Sequence, residues 1–372
     1  MRRNEIWRSY GTTFTKMTKR LLAQTGLAEH ISEKTAYRSR ASVRIGIKPN
    51  LVTPAPADFG GTTHPEIIAG ILEYLQAAGF TDLVIAEGSW VGDKTSEAFE
   101  YCGYNALSEK YGVPLLDTQK DPAVSVDAAG LKLSICRCVH SFDYLINVPV
   151  LKGHCQTRVT CALKNMKGLI PNREKRRFHT MGLHKPIAYL NTAIRPDFIV
   201  IDHICGDPDF EEGGNPLTRN CIMAALDPVL TDAYACSLLD VPVEKVPYIG
   251  LAEKLGIGSA DLSSLRLITC EGDPSGDTAM EHRLLDVSYA VDESESCSAC
   301  YGMLVPALDR LRNEGLLDKL DTAVAIGQGH RGKTGKLGVG NCTRGFDCCI
   351  EGCPPSEEEI YNGLKKYLED LK

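Results

Sequence analysis

Six short, mostly apolar runs punctuate the chain, at residues 43–47, 83–86, 144–148, 198–201, 265–269 and 323–326. Runs of four or five such residues without polar alternation are the pattern of strands buried on both faces, as in a parallel sheet. Between the first two runs, residues 64–78 carry Ile67, Ile68, Ile71, Leu72 and Leu75 at helical spacing, and Gly79 stands where a helix-ending glycine belongs. Strand, helix, glycine, strand is the order of a βαβ unit. Residues 227–255 predict mainly helix. A last helix is predicted over 356–371, with the capping pair Ser356 and Glu359 and an inner face of Ile360, Leu364, Tyr367 and Leu368. Near the start, Phe14, Met17, Leu21 and Leu22 lie at helical spacing among Lys16, Lys19 and Arg20. The predicted class is α/β, a mainly parallel sheet flanked by helices. Residues 1–292 form the large domain, with 1–40 a basic N-terminal helical segment, and 293–372 form a small cysteine-rich subdomain.

Composition adds limits. At 372 residues with 43% hydrophobic and 24% charged side chains the chain has enough apolar content for a packed core, which excludes wholesale disorder. No run of about 18 apolar residues occurs, so no membrane span is expected. The opening MRRNEIWRSYGTTFTKMTKR is basic without an apolar centre and is not expected to be a secretory signal. Fifteen cysteines, an odd number, read as reduced thiols of a cytoplasmic protein, some of them metal ligands, rather than as a disulfide framework.

Charge is unevenly spread. The net charge is −7, yet residues 1–44 carry +7. The acidic remainder and the lack of a binding motif argue against nucleic acid. Residues 151–185 hold nine Lys or Arg against Glu174 alone, together with His154, His179 and His184, which makes a candidate anion-binding wall. Ligands of parallel sheets gather outside the carboxyl ends of strands. Lys48 and Asn50 follow the first predicted strand, Thr63 and His64 start the next helix, and Lys152, His154, Lys164, Asn165 and Lys167 follow a later strand. All are candidates to hold a small anionic substrate. Turn and cap duty is the competing reading for Asn50 and Thr63.

The tail carries the strongest chemical signal. Cys297-Ser-Ala-Cys300, Gly340-Asn-Cys342 and Gly352-Cys353-Pro-Pro fall within 57 residues. A paired CxxC with two further cysteines in glycine- and proline-bearing turns suits a [4Fe–4S] cluster held by Cys297, Cys300, Cys342 and Cys353. A four-cysteine zinc site is the alternative. Cys348 and Cys349 are spare in this assignment, and the remaining nine cysteines are read mostly as core filling. Cys136 and Cys138 are read as a CxC on one strand face. A GxGxxG at Gly327–Gly332 precedes no helix pattern, so it is not read as a dinucleotide site.

Taken together, Ile47-Lys48-Pro49-Asn50, Thr63-His64-Pro65-Glu66, Val148-Pro149-Val150-Leu151-Lys152-Gly153-His154, Leu163-Lys164-Asn165-Met166-Lys167-Gly168 and Asp227-Pro228-Val229 resemble the DUF362 family across roughly residues 40–275. That resemblance implies iron–sulfur cysteines, which many members carry, although the tail lacks the CxxCxxCxxxCP run of two-cluster ferredoxins. The lysine- and histidine-bearing segment is also similar in pattern to nickel-pincer lactate racemases. That likeness implies catalytic roles for His154, Lys164, His179 and His184. The expected function is an iron–sulfur oxidoreductase or electron-transfer protein acting on an anionic small molecule with a redox partner protein. A non-redox isomerase or racemase with a structural cluster and a zinc-stapled binding module remain the alternatives.

Overall fold

The computed structural model describes residues 1–273 and 287–371. Among these, residues 1–153 with 157–273 form one compact unit, and 154–156 with 287–371 form a second.

The first unit is built on an eight-stranded sheet. Its strands are β1 (Glu5–Tyr10), β2 (Ile45–Lys48), β3 (Leu83–Glu87), β4 (Leu115–Asp117), β7 (Tyr144–Asn147), β10 (Phe198–Gly206), β11 (Leu217–Ala225) and β12 (Arg266–Glu271). Residues 123–128 and 131–136 form the hairpin β5–β6, and β8 (Lys152–His154) and β9 (Arg158–Thr160) are short. The sheet order is β12-β1-β11-β10-β7-β2-β3-β4. Strands β10, β7, β2, β3 and β4 pair in parallel, as does β1 with β12, whereas β11 runs antiparallel to both β1 and β10. The class is α/β with a mainly parallel sheet, and the five predicted strands of this unit are all present.

Strand β1 departs from the expected all-helical N-terminal segment. Residues 5–10 insert between β11 and β12, while helices follow at Phe14–Thr25 and Leu27–Lys34. Glu-Ile-Trp-Arg-Ser-Tyr mixes polar and apolar side chains because its faces are unequally buried, so it lacks the apolar run that marked the other strands. Cys136 and Cys138 also differ from expectation: the strand ends at Cys136, and Cys138 lies in the turn Arg137–Ser141. The two thiols therefore share no strand face.

Helix Pro65–Ala77 links β2 to β3. Ile67, Ile68, Ile71, Leu72 and Leu75 are all buried, in one cluster with Ile45 and Ile47 of β2 and Leu83 and Ile85 of β3. Each such side chain contributes about 1.5–3 kcal/mol of burial free energy. Gly79, at φ 90°, ends the helix as predicted. Its N–H reaches Gln76 O (3.0 Å) and the Phe80 N–H reaches Leu75 O (3.0 Å).

The predicted helix over 227–255 is two helices, Pro228–Leu238 and Pro247–Lys254. Asp227 caps the first: its Oδ1 accepts from the N–H groups of Val229 (2.9 Å) and Leu230 (3.1 Å), and its Oδ2 accepts from Arg3 Nη2 (3.0 Å). Asp232, on that helix, accepts the N–H groups of Ala162 (2.7 Å) and Leu163 (3.2 Å) and so holds the start of helix Ala162–Asn165.

The second unit contains a four-stranded parallel sheet, β13 (Val291–Glu293), β14 (Val324–Ile326), β15 (Leu337–Val339) and β16 (Cys348–Ile350), in that spatial order. Helices Ser298–Asn313 and Glu357–Asp370 pack together. The Ser356–Glu359 capping box is formed. Ile360, Leu364 and Leu368 are buried as predicted. Tyr361 is buried too, whereas Tyr367 is half-buried and donates to Asp321 Oδ1 (2.6 Å). Among the described residues no helix is long and apolar enough to cross a membrane.

Asp227→Ala removes a helix cap and strands the two N–H groups it serves. The expected loss is about 0.5–2 kcal/mol, read as a lower urea midpoint with unchanged slope.

Candidate functional site

From β2 the chain proceeds outward through β3 to β4, then returns to the other side of β2 at β7 and β10. The gap between β2 and β7 is thus a topological switch point, where parallel sheets open a crevice at their carboxyl ends. Lys48 pairs in register with Asn147 across this gap, and Glu87 ends β3 on the same edge. Asn165 bridges them from above. Its Nδ2 donates to Asn147 Oδ1 (2.7 Å), and its Oδ1 accepts from Lys48 Nζ (3.1 Å). Lys48 Nζ also donates to Glu87 Oε2 (2.8 Å) and Pro49 O (2.7 Å). Glu87 Oε2 accepts the Leu51 N–H (3.0 Å), and Oε1 accepts the Gly88 N–H (2.6 Å). Lys48 is 1% exposed and Glu87 2%, so this charge pair is fully enclosed. Burial holds the Lys48 ammonium below its ordinary value, and Glu87 opposes that fall. Gly168 makes the enclosure possible: a Cβ there would collide with Glu87 Oε1 and with Lys48 Cε and Nζ.

Four further lysines of this unit, Lys152, Lys164, Lys167 and Lys175, are buried or partly buried near this edge. Lys152 Nζ donates to Gly61 O, to Glu211 O (2.6 Å) and to Asn50 Oδ1 (3.4 Å). Lys164 Nζ pairs with Glu211 Oε1 and donates to Thr160 Oγ1 (3.1 Å). Lys175 Nζ donates to the carbonyls of Gly88 (2.9 Å) and Ser89 (2.8 Å). Lys167 differs from them. Its ammonium makes no hydrogen bond or ion pair among the described residues, and it is the one lysine of the five that is not fully buried. Burial, reinforced by the charge of Lys164, pushes Lys167 down to about 7. Burial, opposed by Glu211, pushes Lys152 down to about 8. The neighbouring Glu212 is pushed up to about 7 by burial and by Glu211. Several groups that exchange protons near neutrality therefore gather around one carboxylate, Glu211.

Asn50, Thr63 and His64 tie this edge together. Thr63 Oγ1 accepts the Asn50 N–H (2.8 Å) and donates to Val148 O (2.8 Å). The His64 backbone N–H and ring Nδ1 both meet Asp202 Oδ2 at 2.8 Å. Burial works against charge on His64, but Asp202 outweighs it and holds the imidazole up to about 11. Of the remaining histidine candidates, His184 stacks on Tyr248 at 5.9 Å, with its pKa lowered by burial. His179 lies in helix Asn172–Thr180. His154 belongs to the second unit, where its Nδ1 accepts the Gln156 N–H (3.0 Å).

In the second unit, Cys297 and Cys300 each feel the thiols of both Cys342 and Cys353. Burial, with the other three thiols behind it, pushes Cys300 up to about 12. Cys300 Sγ also lies against Gly340, the residue two before Cys342. Gln328 Nε2 donates to Cys297 Sγ (3.5 Å), and Arg331 hydrogen-bonds Cys342. The glycine-rich stretch 327–332 thus lines the cysteines, and a short turn, Gln328–His330, stands where a dinucleotide motif would open a helix. Cys348 and Cys349 sit on β16. Cys349 contacts Thr343 Oγ1 (3.4 Å) and Gly340 O (3.6 Å).

Glu87, Glu211 and Lys175 were not singled out from sequence as site residues. Glu87 had a readable signal, since it is a charge closing a buried apolar run, as Lys48 is. Glu211 had none, because its loop joins this edge only through tertiary contacts.

Glu87→Gln leaves Lys48 buried without a counter-charge. A loss of about 3–5 kcal/mol is expected in denaturant unfolding, and a loss below about 1 kcal/mol would show that the pair is not a structural linchpin.

Comparison with known proteins follows this geometry. The chain is 24% identical over 221 residues to the thylakoid-associated protein sll1697 of Synechocystis, covering 58% of this chain and 68% of that one. Among solved structures it is similar to the lactate racemase apoprotein of Thermoanaerobacterium thermosaccharolyticum, with a TM-score of 0.39 and 12% identity over 64% of this chain and 57% of that chain. It is also similar to a Thermotoga maritima protein, with a TM-score of 0.40 and 14% identity over 62% of this chain and 60% of that chain. In both cases the chain spans less than two thirds of the solved protein's length. Residues 45–237, just over half of the chain and including every strand-end residue described above, match the family described as Domain of unknown function (DUF362), and the protein belongs to that family.

Proposed function

We propose that the protein is an iron–sulfur oxidoreductase or electron-transfer protein. Cys297, Cys300, Cys342 and Cys353 hold a [4Fe–4S] cluster, and a small anionic substrate binds at the lysine-lined strand ends of the larger unit. The observation that carries this reading is that Cys297 and Cys300 each lie within electrostatic reach of both Cys342 and Cys353, while Cys349 Sγ is taken up by Thr343 Oγ1 and Gly340 O beside them. A single zinc ion at about 2.3 Å from each sulfur needs the sulfurs about 3.8 Å apart. Among the described residues no three of the four sulfurs lie within 4.8 Å of one another, wider than a single zinc ion requires. Such a cluster supplies one electron at a time. Gln328 and Arg331 bring N–H donors to Cys297 and Cys342, the kind of contact that sets a cluster's potential.

In the larger unit, Lys167 is the group offered to a ligand. It is partly open and unpaired, with Lys164 and Lys175 and the opposing Glu211 as its charged neighbours. Glu211 occupies the same cationic environment and stands in for the carboxylate or phosphate that would bind there. Near neutrality Lys167 both attracts an anion and exchanges a proton with it. Electrons arrive from a redox partner protein. A reducing cytoplasmic setting suits fifteen cysteines of which none is paired.

Anaerobically purified protein is expected to be brown, with about four iron and four sulfide per chain. Cys342→Ser should lose most of both while Cys348→Ser keeps them. Colourless, zinc-replete protein would overturn the assignment.

Anion binding needs the charged form of Lys167, which is present below about 7 and lost as pH rises through that value. Affinity for inorganic phosphate or succinate, measured by calorimetry, should therefore fall by up to about tenfold per pH unit above 7. With succinate as the probe, Lys167→Met should remove the part of the fall centred near 7 and leave the part near 8 that Lys152 and Lys175 carry. A flat profile in the unsubstituted protein removes Lys167 from the site.

A further inference from the structure

A second donor set uses none of the tail cysteines and none of the lysines. Asp58, in the turn Ala57–Phe59, His64, just before helix Pro65–Ala77, and Cys205, near the end of β10, place a carboxylate oxygen, an imidazole nitrogen and a thiol within 4.8 Å of one another. His64 Nε2 is 3.5 Å from Asp58 Oδ1 and 3.8 Å from Cys205 Sγ. The other face of the ring is already fixed, since Nδ1 meets Asp202 Oδ2 at 2.8 Å. That oxygen also takes the His64 backbone N–H, while Asp202 Oδ1 accepts the Ile204 N–H at 3.1 Å. Asp202 is fully buried and anchored from both strand and helix, so it sets the ring's orientation and leaves Nε2 as the free donor atom.

A carboxylate behind a histidine whose second nitrogen faces a thiol and another carboxylate is the arrangement of a metal ligand with its supporting shell. We propose that Asp58, His64 and Cys205 bind a divalent transition metal of zinc-like preference, with Asp202 as the positioning residue. The donor set decides the class. A thiolate and an imidazole select zinc or cobalt over magnesium or calcium, which take oxygen ligands. Three protein donors leave one tetrahedral position open, as in zinc sites that bind water or a substrate. His64 and Cys205 are 4% and 5% exposed, while the Asp58 side chain lies in solvent, which provides an entry side. Metal entry releases one proton from the Cys205 thiol, which now points to Ala57 O at 3.5 Å, and one from His64 Nε2.

The test is anaerobic titration of the full-length reduced protein with cobalt(II), whose thiolate charge-transfer bands report sulfur ligation. The tail thiols are the same in the unsubstituted protein and in Cys205→Ser, so the difference between the two isolates this site. One cobalt equivalent should be lost in Cys205→Ser, together with a thiolate band in the difference spectrum, and zinc should displace that equivalent. Asp202→Asn should weaken it about 10- to 100-fold. Asp58→Asn, an exposed change that leaves the fold intact, should weaken it as well. Equal cobalt stoichiometry and identical spectra in the unsubstituted protein and Cys205→Ser overturn the proposal. Iron and sulfide contents stay unchanged in Cys205→Ser whatever the cobalt result, so this site and the iron–sulfur reading fail independently.

Discussion

The enclosed contact between Lys48 and Glu87 governs the larger unit. An ammonium and a carboxylate cannot stay charged out of water unless each is paired and hydrogen-bonded. Both are: Glu87 accepts from Lys48, Leu51 and Gly88, and Lys48 donates to Glu87, Pro49 and Asn165. Those bonds bind the ends of β2 and β3 to the segment 162–169 that crosses above them. The switch point is thereby closed with polar groups instead of apolar ones, and Gly168 is demanded by the lack of room.

Once that centre is fixed, the surrounding charges follow from electrostatics. Lys152, Lys164, Lys167 and Lys175 gather within one region, where Lys164 disfavours the charge of Lys152 and Lys167, and Lys48 that of Lys175. Carbonyls of Gly61, Gly88 and Ser89 and the carboxylate of Glu211 stabilise three of them. Lys167 is left without such a partner. Part of this enclosed positive charge is met from within the chain, by the loop bearing Glu211.

The smaller unit uses a different economy of groups. Its four parallel strands have three residues each, its helices Ser298–Asn313 and Glu357–Asp370 are longer, and three of the tail cysteines stand at element ends or turns: Cys297 at a helix start, Cys342 after Gly340, and Cys353 before Pro354. Glycine at 340 lets Cys300 approach closely.

Local pattern was enough for the α/β class, the five main-sheet strands marked by apolar runs, the helix 65–77 with its terminal glycine, and the capping box of the last helix, because burial periodicity and capping act over a few residues. The family and the strand-end lysines were legible for the same reason: each is a short motif attached to a strand. Strand β1 was not, since its half-buried faces give no apolar run. The partners of the lysines were not either. Glu87 lies 39 residues from Lys48, and Glu211 lies 47 from Lys164. Asp202 lies 138 from His64. Those pairings form only when parallel strands bring distant ends to one edge. Charge compensation is settled by what burial places side by side, and a sequence records that only after the chain has folded.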